Sequence, residues 1–332
     1  MNRFIELSNQ AGPFLTIELT NLCNYRCIMC YREKVDIKSR GFMDFSLFKE
    51  TVEHIEKSGF KFFGLKLSWL GEPLMHPEIE KILKTLLNKT FFQNLVIDTN
   101  VSYLSESVTD ILSCFSVPVF VFLSIDGSTK EIYEKIRVGG DFDNIEKNIK
   151  YICQNKCSNV FLRFQYILMD ENIDYTQHFI EWVTKIAGKL NIFFEEQTVL
   201  KDNYIFFRKL IKPGFETECD FLWNEFRLKF ESQNKSVEEN KVKLKCCENL
   251  WSMPIIRFNG QVGMCNLDPE MSLCIGNINY ENFTDIWLGD KAQKMRINHI
   301  NGIYPDKCKN CRALKCNISA QIINDWAQLL KS

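Results

Sequence analysis

Apolar positions along the first two hundred residues alternate between two rhythms. Short runs at Phe14–Leu19, Phe62–Trp69, Leu95–Asp98, Val119–Ile125, Val160–Leu168 and Ile192–Val199 are dense in Val, Ile, Leu and Phe, as strands covered on both faces tend to be. Between them apolar residues recur at helical spacing. Asp44 can cap a segment whose Leu47, Phe48, Val52 and Ile55 share one face, and Gly59 suits its C-terminal end. Pro77 fits the first turn of Glu78–Leu87, and Ser105–Phe115, Lys130–Ile136, Asp143–Cys153 and Tyr175–Ala187 repeat the amphipathic pattern. Six β/α repeats predict an α/β fold with a parallel sheet and right-handed crossovers. Six is fewer than the eight that close a full barrel, so residues 14–200 are expected to form a partial (β/α)6 TIM-like barrel behind a lead-in of residues 1–13. The rhythm then breaks. Residues 201–245 are charged and aromatic, with a polar run at Ser232–Lys245, and read as a connector or insertion. Residues 246–316, rich in Cys and turn residues, predict a small C-terminal domain. In 317–332, Ile322, Ile323, Trp326, Leu329 and Leu330 recur at helical spacing and predict a closing helix packed on a core.

Composition narrows the class. With 332 residues and 41 Lys+Arg against 42 Asp+Glu, the chain has no basic excess for phosphate contacts, so a nucleic-acid partner is not expected. No apolar run approaches the roughly 20 residues that span a bilayer, and Met1-Asn2-Arg3-Phe4-Ile5-Glu6 lacks the apolar core of a secretory signal. A cytoplasmic protein without membrane association is expected. The 14 Cys are then anomalous. Disulfides are rare in a reducing compartment, which points to metal or redox chemistry.

Cys23, Cys27 and Cys30 form C-x3-C-x2-C directly after the first predicted strand. A structural zinc site asks for four closed ligands, and the nearest His is His54. Three thiolates on a tight loop suit a four-iron cluster with one iron left open, able to chelate a ligand and pass it an electron. The loop also leaves the strand at the C-terminal face, where barrel chemistry gathers.

Cys23-Asn-Tyr-Arg-Cys27-Ile-Met-Cys30 resembles the cluster loop of the radical S-adenosylmethionine (SAM) enzymes. The resemblance implies that the three Cys hold a [4Fe–4S] cluster whose unique iron binds the amino and carboxylate groups of SAM. One electron, from a flavodoxin- or ferredoxin-type reductant, then yields methionine and a 5′-deoxyadenosyl radical that abstracts hydrogen from an unactivated C–H bond. Further positions match the family. Gly71-Glu72-Pro73 follows strand two, where the family places the motif that receives the SAM amino group. Asn100 ends strand three, and Ser124 and Asp126 end strand four, where the family contacts the ribose. Arg137 is a candidate for the SAM carboxylate. Met29 stands where the family often has an aromatic residue near adenine, and a thioether can fill that role.

Seven more Cys lie between residues 246 and 316. Cys247, Trp251, Gly260, Cys265, Gly276-Asn-Ile, Ile286-Trp287 and Cys308-x2-Cys311 resemble the SPASM extension, and more closely its shorter twitch form. The resemblance implies that Cys247, Cys265, Cys308 and Cys311 ligate one auxiliary [4Fe–4S] cluster. A four-thiolate zinc site has the same ligand count. Cys246 adjoins Cys247 and competes for its place, although the spacing to Gly260 selects Cys247. A second auxiliary cluster would need an unusual ligand or an open iron.

Two substrate classes are expected. The first is a sugar, nucleotide sugar or aminocyclitol, dehydrogenated or epimerised, as in enzymes resembling 2-deoxy-scyllo-inosamine dehydrogenase. In dehydrogenation, proton loss from the substrate radical leaves an electron that an auxiliary cluster can accept. An epimerase would need a hydrogen donor, for which Cys316 and Cys274 are candidates. Arg163, Gln165 and Tyr166 on strand five, and Glu195, Glu196 and Gln197 on strand six, could line the site where alternation turns them inward. The second is a ribosomally made peptide, crosslinked or epimerised. About 13 residues precede the first strand, which is short for a leader-binding domain.

Overall fold

The computed structural model describes residues 2–10, 12–34, 39–194, 200–210, 247–309, 311 and 325. After a helix, α1 (Asn2–Gln10), come β1 (Phe14–Ile17), α2 (Phe45–Ser58), β2 (Gly64–Lys66), α3 (Ile79–Leu86), β3 (Leu95–Thr99), α4 (Glu106–Ser113), β4 (Val119–Ser124), α5 (Lys130–Ile136), α6 (Phe142–Asn155), β5 (Val160–Leu168), α7 (Thr176–Ala187), β6 (Asn191–Phe194) and β7 (Tyr204–Lys209). The caps follow the local sequence. Asp44 accepts the amides of Ser46 and Leu47, and Gly59 closes α2 at φ 85°, a conformation that suits glycine. Ser105 and Thr129 likewise cap α4 and α5 by accepting the amides of Val108 and Ile132.

The parallel α/β core is the expected one, with one difference. Tyr204–Lys209, inside the segment anticipated as a connector, is a seventh strand, and it inserts between β5 and β6. Its Phe206, Phe207 and Ile205 are buried. Polar neighbours on both sides hide this short run from a pattern search. The rest of the expected connector, residues 211–245, and the closing helix lie outside the described residues.

The small C-terminal part extends the same sheet. β8 (Ile255–Ile256) pairs parallel with β1, and β9 (Gln261–Gly263) and β10 (Cys274–Asn277) follow antiparallel. The sheet order is β10-β9-β8-β1-β2-β3-β4-β5-β7-β6. Helices Phe283–Leu288 and Asp290–Ile300 pack beneath this end, with Trp251 and Trp287 in the core.

The two faces of the sheet differ. Leu15, Ile17, Leu65, Leu67, Ile97, Val121, Leu123, Leu162, Phe164 and Tyr166 face the helix layer in one continuous core. On the opposite face Val96, Phe120, Phe122, Tyr204 and Phe206 make a separate apolar floor. Interspersed with that floor are Glu18, Lys66, Ser68, Asp98, Arg163 and Gln165, placed there by strand alternation. No helix among the described residues is long and apolar enough to cross a membrane.

The seventh strand is testable. Phe207 is fully buried and meets Tyr166, Phe179 and Phe194. Phe207→Ala should therefore cost about 3–5 kcal/mol, read as a clear fall in thermal unfolding temperature.

Candidate functional site

The three loop thiols emerge immediately after β1, on a segment fixed by backbone bonds. The Arg26 and Ile28 amides donate to the carbonyls of Val138 and Ile136, and the Cys30 amide donates to the Cys27 carbonyl. Beneath it the buried Arg32 guanidinium donates to the carbonyls of Tyr25 and Asn21. Asn100 Nδ2 lies 3.7 Å from the Cys23 sulfur, and Arg137 Nη1 lies 3.8 Å from that of Cys27. Met29 packs beside Ile132, Ile136, Met169 and Leu210. Burial pushes the Cys23 thiol up to about 11 and raises Cys27, so loading a metal there releases protons.

Gly71 and Glu72 hold this loop from the side. A Cβ on Gly71 would sit 2.3 Å from the Thr20 carbonyl oxygen and 2.4 Å from that of Leu22, so only glycine fits. The Glu72 amide donates to the Leu22 carbonyl. Its buried carboxylate accepts the Leu74 amide at 3.1 Å, the Thr99 hydroxyl at 2.8 Å and the Asn100 amide at 2.6 Å. Glu72 thus joins the ends of β2 and β3. Just beyond, Val101 is held at φ 72°, unusual for a β-branched residue. Despite its three donors, burial pushes the Glu72 carboxyl up to about 7.

At the end of β4, Asp126 is fully buried and both its oxygens are engaged, by the Ile167 amide at 2.6 Å and Arg137 Nη2 at 2.5 Å. Arg137 also donates to the Ile125 carbonyl at 3.1 Å. The pair therefore braces the site, with one edge of the guanidinium turned to Cys27. Of the two residues expected near the ribose, Ser124 is the one left half-exposed.

Two expectations on β5 need correcting. Arg163 does face inward, but it is fully buried, bonded to the carbonyls of Leu200 and Asp202 and stacked on Tyr204 and Phe120. It is sealed within the apolar patch on that face of the sheet and is not open to a substrate. Tyr166 points the other way, into the helix layer, where its hydroxyl donates to the Asn172 carbonyl. Glu195, Glu196, Gln197, Cys246 and Cys316 lie outside the described residues.

The partly exposed charged groups on the sheet face opposite the helix layer are ones that sequence reasoning missed. Lys66 Nζ lies 2.5 Å from Asp98 Oδ2, and the Ser68 hydroxyl donates to the same oxygen. The Lys66 and Asp98 side chains keep 36% and 30% of their exposure, although both stand on central strands. Arg208 Nη1 reaches Gln165 Oε1 at 3.3 Å. Their signal was present as single charged residues in otherwise apolar runs, Leu65-Lys66-Leu67 and Ile97-Asp98-Thr99. At the C-terminal edge Arg257 Nε meets Glu18 at 3.2 Å, and the Trp69 indole donates to the Asn266 carbonyl at 3.0 Å.

Cys247, Cys265, Cys308 and Cys311 line one cavity, walled by Leu250, Leu267 and Leu273. All four are free thiols. Burial pushes Cys247 up to about 12 and Cys308 to about 11, each further raised by the neighbouring sulfurs. Among the described residues no group of His, Cys, Asp and Glu is arranged to hold a single metal ion. A ring of thiols around a space is the donor set of a multi-iron cluster. Cys274 stands apart on β10, its sulfur 3.3 Å from the Gly276 carbonyl oxygen.

Residues 17–183 match the radical SAM superfamily, and residues 246–312 match the SPASM iron–sulfur cluster-binding domain. The chain belongs to the radical SAM superfamily. It is a radical SAM enzyme with a SPASM domain, and the cofactors that go with that architecture are a [4Fe–4S] cluster, SAM and an auxiliary cluster. Its sequence is similar to the antilisterial bacteriocin subtilosin biosynthesis protein AlbA of Bacillus subtilis (strain 168), 22% identical over 285 residues, which is 84% of this chain and 60% of AlbA. The chain thus spans less than two thirds of that relative. Among solved structures it resembles Streptococcus suis SuiB bound to its precursor peptide SuiA, with TM-score 0.63 and 15% identity over 100% of this chain and 76% of SuiB. It also resembles BtrN in complex with AdoMet and 2-DOIA, with TM-score 0.52 and 16% identity over 90% of this chain and 92% of BtrN.

The Glu72 shift has a definite sign. Its carboxyl rises from 4.5 to about 7 in the folded protein, so between those values the folded state keeps a proton that the unfolded chain has lost. Stability therefore falls as pH rises through that window. In the metal-free protein, Glu72→Gln should remove this slope, making the variant relatively more stable at pH 8 than at pH 5 by up to about 3 kcal/mol. Parallel denaturation curves at the two pH values check it.

Proposed function

We propose that the enzyme dehydrogenates or epimerises a small, hydroxyl- and amine-bearing molecule of the sugar or aminocyclitol type. The observation that carries this reading is the polar face of the sheet opposite the helix layer, where Lys66, Ser68, Asp98 and Gln165 stand among aromatic residues. A site built to hydrogen-bond hydroxyl and amine groups discriminates strongly for them, because its polar groups are left unpaired otherwise. Cys23, Cys27 and Cys30 would hold the SAM-binding cluster, which supplies the hydrogen-abstracting radical when reduced by a flavodoxin- or ferredoxin-type donor. Gly71, Glu72, Asn100 and Ser124 would bind SAM. Glu72 offers a carboxylate for an ammonium, and Asn100 and Arg137 direct N–H groups at the thiols.

The same polar face handles the proton. Lys66 and Asp98 form an open, hydrogen-bonded pair that can take a proton from a substrate hydroxyl and pass it to solvent. Cys247, Cys265, Cys308 and Cys311 would hold the auxiliary cluster, a place for the electron that dehydrogenation leaves behind. The thiol-rich composition suits a reducing, cytoplasmic setting.

A second reading, maturation of a ribosomally made peptide, draws on the likeness to AlbA and to SuiB, the latter solved with its precursor peptide. A deuterium-transfer screen separates the two. Label is expected to enter 5′-deoxyadenosine from deuterated sugars or aminocyclitols, whereas transfer only from a peptide would overturn the first reading. Lys66→Met should slow formation of the oxidised product by about 100-fold while label transfer into 5′-deoxyadenosine and iron content stay near wild-type level.

Anaerobic reconstitution gives an independent count. About eight irons per chain are expected, falling to about four when Cys23, Cys27 and Cys30 are all changed to Ala. A count near twelve would exclude a single auxiliary cluster.

A further inference from the structure

One wall of the C-terminal thiol cavity is a histidine. His299 lies near the end of the Asp290–Ile300 helix, is fully buried, and lines the same cavity as the four thiols. Neither of its ring nitrogens has a hydrogen-bond partner among the described residues. Tyr304 meets the ring edge-on, centroids 5.0 Å apart at 75°, which orients the imidazole. One turn earlier on the same helix face, Arg296 is also buried, yet its guanidinium donates to the carbonyls of Leu250 at 2.9 Å and Trp287 at 2.8 Å. The fold therefore provides acceptors for the arginine and leaves the histidine to the cavity.

An imidazole carries at least one N–H in either protonation state. A buried donor without an acceptor is costly and rare in folded proteins. The acceptor that would complete His299 is one that arrives with a cofactor, because the sulfurs of an iron–sulfur cluster accept hydrogen bonds and respond to them. We propose that His299 donates an N–H hydrogen bond to a sulfur of the auxiliary cluster and thereby raises its reduction potential. This rests on the reading that Cys247, Cys265, Cys308 and Cys311 hold that cluster. A donor aimed at the cluster stabilises its more negative, reduced state. Such a cluster accepts an electron more readily, as a substrate-oxidising enzyme needs.

The full-length protein with Cys23, Cys27 and Cys30 changed to Ala isolates the auxiliary cluster, and a redox titration followed by electron paramagnetic resonance reads its potential. His299→Phe should shift the reduction equilibrium at least tenfold toward the oxidised state, a midpoint about 59 mV lower for one electron. His299→Gln, which keeps an N–H donor, should recover most of that shift. Equal potentials for wild type and His299→Phe, or equal shifts in both variants, would overturn the proposal. Should His299→Phe fail to load iron, the protein with unaltered His299 still tests the bond directly. With 15N-labelled histidine, pulsed spectroscopy should show a weak nitrogen coupling to the reduced cluster. No coupling, or the strong coupling of an iron-bound nitrogen, contradicts hydrogen bonding. If the isolated form holds no iron, well below the expected count of about four, the cluster assignment itself fails, and the inference with it.

Discussion

The arrangement depends on one short strand bonded on both edges. β1 pairs with β2 on one side and, across more than 200 residues of chain, with β8 on the other. The first thiol loop leaves from β1. The Glu72 turn is tied to that loop through the Leu22 carbonyl. The strand that leads toward Cys265 is the hairpin partner of β8. A parallel strand with both edges satisfied cannot slip in register without turning its core residues outward. Leu15 and Ile17, both fully buried, fix that register. The salt bridge from Glu18 to Arg257 and the Trp69 bond to Asn266 then lock the C-terminal part against the parallel sheet.

Around the thiol loop, charge is managed by burial and pairing. Asp126 and Arg137 neutralise each other in a site where either alone would be costly. Arg32 is held by backbone carbonyls under the loop. Glu72 differs, because its donors are two amides and a hydroxyl and no cation touches it. Burial outweighs these donors and the more distant Arg137 charge, which is why the Glu72 carboxyl is pushed up.

The strand–helix alternation and the C-x3-C-x2-C loop were legible because each is a local pattern. Asp44 caps where its sequence predicts, and apolar runs mark five of the strands β1 to β7 closely. β7 was hidden because a four-residue apolar run, Tyr204–Phe207, flanked by Asp202, Asn203, Arg208 and Lys209 looks like a connector until its partner strand is known. Arg163 and Tyr166 show the same limit. Alternation alone gives two possible faces, and only packing says that the arginine is sealed under Leu200 and Asp202 while the tyrosine belongs to the helix side. His299 carried no local signal, since its meaning comes from thiols far away in sequence.

The Lys66–Asp98 pair cannot be explained as a stabilising feature. An ion pair keeping about a third of its exposure contributes only about 0–1 kcal/mol. Central strand positions would gain more from valine or isoleucine, as the neighbouring Val96 and Phe120 illustrate. Lys66 shares its row with Val96 and Phe120, and Asp98 shares its row with Phe122 and Arg163, so the charges stand among apolar side chains on one face of the sheet. A sheet that forgoes hydrophobic burial at these two positions shows the pattern expected where stability is given up for recognition. Under the proposed function, a substrate's own polar groups would complete that pattern, between the loop of Cys23, Cys27 and Cys30 and the cavity of Cys247, Cys265, Cys308 and Cys311.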